Sequence, residues 1–149
     1  MAIITPFSAP LVIPAVRVLD SLLGGNAVLW SPSPHSPETS QVLMQILWDA
    51  LQQSAQDNAQ ELPLGVLSLL LGHKETASQL LKSPQIQAVE FTGSLDAGAQ
   101  IQEASESSGK EIGLRCYGPN QLYVHESADL DRAARRFLAA ITQSAGQGC

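Results

Sequence analysis

A cysteine behind a run of small residues is the most chemically distinctive feature of this 149-residue sequence. The stretch reads QSAGQGC, so that Cys149 follows Gly146 and Gly148. Glycine has no side chain and lets the backbone come close to a ligand, and a thiolate is a strong nucleophile. The pattern indicates a thiol at a reaction site. The alternative interpretation is an inert, buried cysteine.

Composition argues against several other kinds of site. Cys116 and Cys149 are the two cysteines, and neither forms a CxxC pair or has a histidine at metal-ligand spacing, so we predict no metal site. Two cysteines do not make a disulfide framework, which is typical of proteins from a reducing, cytoplasmic compartment. A formal net charge of -6 with 8 basic residues argues against nucleic acid or an anionic membrane surface as a partner.

The apolar start of the chain resembles a signal peptide or a membrane span only superficially. It has no basic segment at its beginning, and charged residues and prolines interrupt the apolar run. The interrupting residues are Pro6, Pro10, Pro14, Arg17 and Asp20.

Short apolar runs alternate with helical patterns along the rest of the chain. We predict strands at 2–7, 26–30, 65–72, 88–93, 111–117 and 121–126, and helices at 10–23, 36–53, 75–82, 96–107 and 129–142. Ser36 and Pro37 provide an N-cap and a first helical residue. The third run, GVLSLLLG, is almost continuously apolar, as expected of a strand covered on both faces.

Helical spacing also groups the apolar residues of the first two helices. Val12, Val16, Leu19 and Leu23 lie on one face of the first helix, and Val42, Ile46, Leu47 and Leu51 recur at helical spacing in the second.

This alternation predicts an α/β fold with a Rossmann-like, mostly parallel, doubly wound sheet. Right-handed crossovers would bring the loops that follow the strands to one edge, where such sheets bind ligands. These loops, which read SAP, SPSPHS, GHKE and TGSLD, are rich in Gly, Ser and Pro and suit a nucleotide phosphate. Composition alone leaves the ligand open.

Five stretches, in order, resemble the aldehyde dehydrogenase family: ITPFSAPL, GNAVLWSPSPHSP, LPLGVLSLLLG, VEFTGSLDAG and GQGC. The family has a proline-aromatic-Asn turn, a strand ending in Lys-Pro-Ser, a Phe-Thr-Gly-Ser turn and a Gly-Gln-x-Cys nucleophile. The resemblance covers essentially the whole chain. It implies NAD(P)-dependent oxidation of an aldehyde to a carboxylic acid.

The resemblance also implies that residues 1–149 are only part of such an enzyme. They correspond to most of an NAD(P)-binding domain with an incomplete sheet, ending at the catalytic cysteine, and most of the catalytic domain would lie downstream. We therefore expect a fragment, itself inactive, of a cytoplasmic enzyme that is a homo-oligomer at full length.

The catalytic positions depart from the family pattern in two places. The resemblance implies that Cys149 adds to the aldehyde and that the thiohemiacetal gives a hydride to nicotinamide, leaving a thioester. Ser8 stands where the family has an Asn that holds the oxyanion, and Arg115 stands where hydrolytic members have a general-base Glu. Arginine stays protonated and cannot accept a proton at neutral pH. The alternatives are an acylating enzyme that passes the acyl group to coenzyme A, and a non-catalytic oligomerisation or interaction module.

The resemblance implies a cofactor site for NAD or NADP. Its residues would be Thr5, Pro6, Phe7, Trp30, Ser31, Pro32, Ser33, Phe91, Thr92, Gly93, Ser94 and Gly98.

Two positions of this predicted site leave the choice between NAD and NADP open. Ser31 replaces a Lys that binds the adenosine ribose, and Pro34 stands where many members have a Glu that disfavours a 2′-phosphate. We interpret His73, Lys74 and Glu75, which lie near the position of the family's adenine site, as solvated loop residues, and His35 as a surface loop residue, with an approach to the ribose as the alternative.

Overall fold

The structure, a computed structural model, describes residues 1–106, 108–118 and 121–143. In these ranges strands and helices alternate along the chain. The elements are β1 (Ala2–Thr5), α1 (Val12–Leu23), β2 (Val28–Pro32), α2 (Pro37–Asp57), β3 (Leu67–Leu69), α3 (Lys74–Lys82), β4 (Ala88–Ser94), α4 (Leu95–Ser105), β5 (Glu111–Tyr117) and α5 (Leu130–Thr142).

The strands form one parallel sheet in the order β3-β2-β1-β4-β5, which confirms the predicted α/β fold. β1 lies at the centre, where Ile3 pairs with Trp30 of β2 and with Glu90 of β4. The chain winds outward from β1 to β3, then returns across the sheet to β4 and β5. The switch of direction lies between β1 and β4, the position at which doubly wound sheets bind ligands.

Helices cover both faces of the sheet and define two core layers. On one face α1 and α2 pack on β1, β2 and β3, and on the other α3 and α4 pack on β1, β4 and β5. The first layer contains Ile3, Val18, Val28, Trp30, Leu43, Leu47 and Leu67. The second contains Ala2, Leu80, Leu81, Ile86, Val89, Phe91 and Ile101.

The apolar face that helical spacing identifies on α1 is not the face that packs on the sheet. Val12, Val16, Leu19 and Leu23 are between 44% and 87% exposed, and the helix instead buries Pro14, Val18 and Ser21. Both sets recur at helical spacing. The set that includes the small Ser21 faces the sheet, which lets the helix axis come closer to β1 and β2.

The apolar residues at helical spacing on α2 pack on the sheet only in part. Leu47 is buried and Leu51 packs against the same core, whereas Val42 and Ile46 are exposed. Leu43, which is not in that set, is buried beside Leu47.

The strand predictions fail at the two ends of the sheet. The predicted strand at 121–126 is not one, and Leu122, Tyr123 and Val124 are exposed. No strand in the described ranges continues the sheet beyond β5, so this segment has no ladder partner. β3 covers only Leu67–Leu69 and lies at the other edge, so it is not covered as fully as its apolar sequence predicted.

No described helix is long and apolar enough to cross a membrane.

Candidate functional site

A cavity of about 720 Å³ lies at the carboxyl edge of the sheet. The loops that follow β1, β2, β3 and β4 form its mouth, and α3 and α4 form its walls. Its volume is within the range of small-molecule sites. Ten of the twelve predicted cofactor residues line it: Thr5, Pro6, Phe7, Ser31, Pro32, Ser33, Phe91, Thr92, Gly93 and Ser94.

The turn between β4 and α4 shows why the sequence folds this way locally. Ser94 is the N-cap of α4, and its hydroxyl oxygen accepts a hydrogen bond from the Ala97 amide at 3.3 Å. A side chain at Gly93 would overlap the ring of buried Phe91. Helix N-termini attract anions through their amide groups and dipole. The turn therefore presents a helix N-terminus to the cavity.

Two threonines on this wall differ in their hydrogen bonding. The Thr5 hydroxyl accepts a hydrogen bond from Trp30 Nε1 at 2.9 Å, and both side chains are buried. The Thr92 hydroxyl is also buried, yet it has no hydrogen-bond partner among the described residues. A buried hydroxyl without a partner costs free energy, and because it is not accessible from the cavity, Thr92 borders the cavity through its other atoms.

Two predicted cofactor residues do not line the cavity. Trp30 is fully buried in the core layer under α1 and α2. Gly98 faces Cys116, because a side chain at this position of α4 would overlap the Cys116 sulfur. Trp30 supports the wall through its bond to Thr5, and Gly98 lets α4 pack closely on β5.

Three basic residues line the cavity at the loops after β2 and β3. His35 makes an edge-on ring contact with Phe7 at 5.4 Å, His73 is the N-cap residue of α3, and Lys74 begins that helix. The sequence predicted that these loops meet at one edge of the sheet, but it interpreted the three side chains as solvated. The structure places all three residues in the lining of the cavity.

The walls between α3 and α4 are mostly apolar. Ala77 and Leu81 of α3 face Ala97, Ile101 and Ala104 of α4. This slot can accept a flat aromatic ring, while the polar turn at Ser94 can accept phosphate oxygens.

Arg115 lies on the other face of the sheet, away from this cavity. Its Nε donates a hydrogen bond to Glu90 Oε1 at 2.9 Å, and Arg17 Nε lies 3.4 Å from the same oxygen. Next to this group is a second cavity of about 550 Å³ along β4 and β5. Arg115 is thus ion-paired with Glu90, and both residues line this second cavity.

Ser8, a predicted catalytic residue, does not line either cavity. Ser8 follows the lining residue Phe7 in the loop between β1 and α1. Cys149 lies outside the described residues.

Known proteins resemble this chain along its whole length. A family model described as the aldehyde dehydrogenase family matches residues 1–149. The N-succinylglutamate 5-semialdehyde dehydrogenase of Erwinia tasmaniensis is 35% identical over 100% of this chain and 29% of its own length. The chain thus spans less than a third of that relative.

Solved structures show the same fold. An NAD-dependent aldehyde dehydrogenase from Sinorhizobium meliloti superposes with a TM-score of 0.83 at 31% identity, over 99% of this chain and 28% of the other. The protein PnpE, solved in complex with nicotinamide adenine dinucleotide, gives a TM-score of 0.84 at 26% identity, again over 99% and 28%.

Proposed function

We propose that this chain, which belongs to the aldehyde dehydrogenase family, is the nucleotide-binding part of an enzyme that oxidises an aldehyde to a carboxylic acid with NAD or NADP. The observation that carries the proposal is the cavity at the switch point of the sheet, with the Gly93–Ser94 turn on its wall. The similar PnpE structure, which contains nicotinamide adenine dinucleotide, supports it.

The residues of the cavity fit a dinucleotide. The amide groups at the start of α4 would hold the pyrophosphate, and Gly93 keeps that surface free of a side chain. The slot between α3 and α4 would take the adenine ring.

The proposed chemistry begins at Cys149. Its thiolate would form a bond to the aldehyde carbon, because thiolates are nucleophilic and give labile acyl intermediates. When bound, the cofactor supplies a hydride acceptor. The thioester left on Cys149 must then be released to water or to a second thiol.

Release of that thioester to water needs a base other than Arg115. The guanidinium is always charged and already pairs with the Glu90 carboxylate. The base must therefore come from elsewhere in the complete protein, or the acyl group must pass to a thiol such as coenzyme A.

The proposal also covers the cellular compartment and the oligomeric state of the complete protein. The residues here would be a fragment of a cytoplasmic protein that forms a homo-oligomer at full length. The free thiol of Cys116, with no disulfide in the described ranges, is typical of a reducing compartment.

The first experiment measures reduced nicotinamide formed from a panel of aldehydes by the complete protein that carries this sequence. We expect Cys149→Ala to abolish turnover and to leave nucleotide binding intact. Cys116→Ala is the matched control, because this second thiol lies in β5 against α4 and should not affect turnover. Full turnover by the Cys149→Ala protein would refute the proposed nucleophile.

A non-catalytic interaction module is the second candidate. The ion-paired Arg115 at the general-base position favours it. Such a module predicts that the complete protein binds nucleotide but oxidises no aldehyde in the panel.

A further inference from the structure

We propose that the cavity prefers NADP to NAD, and that Lys74 determines this preference by binding the 2′-phosphate on the adenosine ribose. The inference rests on the proposed function, because it assigns the ribose end of the same cofactor site. It also reinterprets a residue that the sequence placed in solvent.

The position of the ribose follows from the geometry of the cavity. The pyrophosphate turn at Ser94 lies after β4, and the adenine slot lies between α3 and α4. The ribose joins the two groups, so it lies at the mouth of this slot. The loops after β2 and β3, next to each other in the sheet, form the mouth there.

Basic residues are concentrated at that mouth. His35 comes from the loop after β2, and His73 and Lys74 come from the loop after β3 and the start of α3. Lys74 makes no ion pair within the described part of the chain, where the ion pairs involve Arg17 and Arg115. Its ammonium group is therefore available to a ligand.

The described residues that line the ribose end of the cavity include no carboxylate. Asp96 is the only acidic residue among the described ones that line the cavity, and it lies in the first turn of α4 after the pyrophosphate turn. Glu75 follows Lys74 but does not line the cavity. Pro34, on the wall after β2, offers no hydrogen-bonding side chain at all.

Nucleotide-binding α/β folds distinguish the two cofactors at this position by charge. A carboxylate that accepts a hydrogen bond from the 2′-hydroxyl selects NAD, and a basic side chain accommodates the 2′-phosphate of NADP. Here the ribose end has basic side chains and lacks a carboxylate among its described lining residues. Charge complementarity therefore favours the phosphorylated nucleotide.

The test measures binding of two probes, 2′,5′-ADP and 5′-ADP, to the complete protein by calorimetry. We expect 2′,5′-ADP to bind more tightly than 5′-ADP. Lys74→Ala should weaken the binding of 2′,5′-ADP about tenfold, as expected for the loss of one charge-assisted hydrogen bond. The same change should leave the binding of 5′-ADP nearly unchanged. Lys74→Glu should reverse the order of the two probes.

Lys82→Ala is the matched control. It removes the same charge from the last turn of the same helix, away from the cavity lining. We expect it to change neither dissociation constant, and circular dichroism would check that all variants fold.

The possible results separate the inference from the function on which it rests. If 5′-ADP binds as tightly as 2′,5′-ADP, or if Lys74→Ala weakens both equally, the inference is wrong while the nucleotide site stands. If neither probe binds to a folded protein, the proposed function and the inference both fail.

Discussion

At the scale of single residues, the sheet pairs Arg115 with a carboxylate on the neighbouring strand. Glu90 lies between Arg115 on β5 and Arg17 on α1, and it is 16% exposed. Two positive groups beside one carboxylate form a satisfied network that ties β4 to β5 and to α1. Replacing Arg115 by a carboxylate alone would remove one of the two cations beside Glu90 and set two negative charges side by side, which we expect to destabilise this part of the sheet.

Thr92 gives a prediction that separates binding from stability. Thr92→Val removes a buried hydroxyl that has no partner among the described residues. We expect the free energy of unfolding of the ligand-free protein to stay the same or to rise by up to about 1 kcal/mol, because no hydrogen bond is lost. Nucleotide affinity should stay unchanged, because this hydroxyl is not accessible from the cavity. Denaturant unfolding and calorimetry measure the two effects.

Thr5→Val is the matched control for this prediction. The same change at Thr5 removes the acceptor of the Trp30 indole N–H and leaves that group buried and unpaired. We expect a loss of about 1–3 kcal/mol in stability. Equal destabilisation by the two substitutions would show that the Thr92 hydroxyl has a structural partner.

At the scale of elements, close packing between α4 and β5 depends on the absence of a side chain. Gly98→Ala would bring a methyl group into the Cys116 sulfur, and we expect overpacking to cost about 1–3 kcal/mol of unfolding free energy. Chemical denaturation of the protein measures this cost.

A second substitution tests whether overlap with the Cys116 sulfur causes this loss of stability. Cys116→Ala removes the sulfur and leaves Cβ atoms 3.8 Å from each other, an ordinary contact. In that background Gly98→Ala should be neutral, or stabilising by up to about 1 kcal/mol, because alanine is the better helix former. A double-mutant cycle with no coupling energy would contradict this account.

The order of elements was predictable from the sequence, and the orientation of helices was not. Alternating apolar runs with short connections leave few topologies other than a doubly wound sheet. On α1, however, Val12 and Val16 follow the same spacing as Pro14 and Val18. Only packing on the sheet decides which of two such faces is buried, and the sequence of the helix alone does not determine that packing.

The candidate site likewise contains some residues whose roles the sequence predicts and others whose positions it does not. Gly93 and Ser94 were predictable, because a helix N-cap after a strand is a local pattern. The sequence placed Lys74 in a loop at this edge but not in the wall of the cavity, because that position depends on how α3 packs beside α4, and residue spacing does not report that arrangement.

At the scale of the whole molecule, the chain has large apolar surfaces that face solvent. No residue of α5 is buried, and Leu130, Phe137, Leu138 and Ile141 are exposed. The outer face of α1 is also apolar. Apolar surfaces of this kind mark contacts with other protein segments or copies.

We therefore expect the 149-residue chain on its own to associate as its concentration rises. Light scattering should give a mass above 15.8 kDa. Replacing both Phe137 and Ile141 by Gln should shift the mass toward the monomer, whereas Arg135→Gln on the same helix should not. A monodisperse monomer at high concentration would contradict the prediction.

The central position of β1 has a consequence for synthesis on the ribosome. Residues Ala2–Thr5 pair on one side with β2, which follows within about 30 residues, but on the other side with β4, which comes about 80 residues later. At about 5–20 residues per second, one edge of the central strand waits several seconds for its partner. During that interval the nascent chain carries an open sheet edge, at which chaperones or neighbouring chains compete with β4.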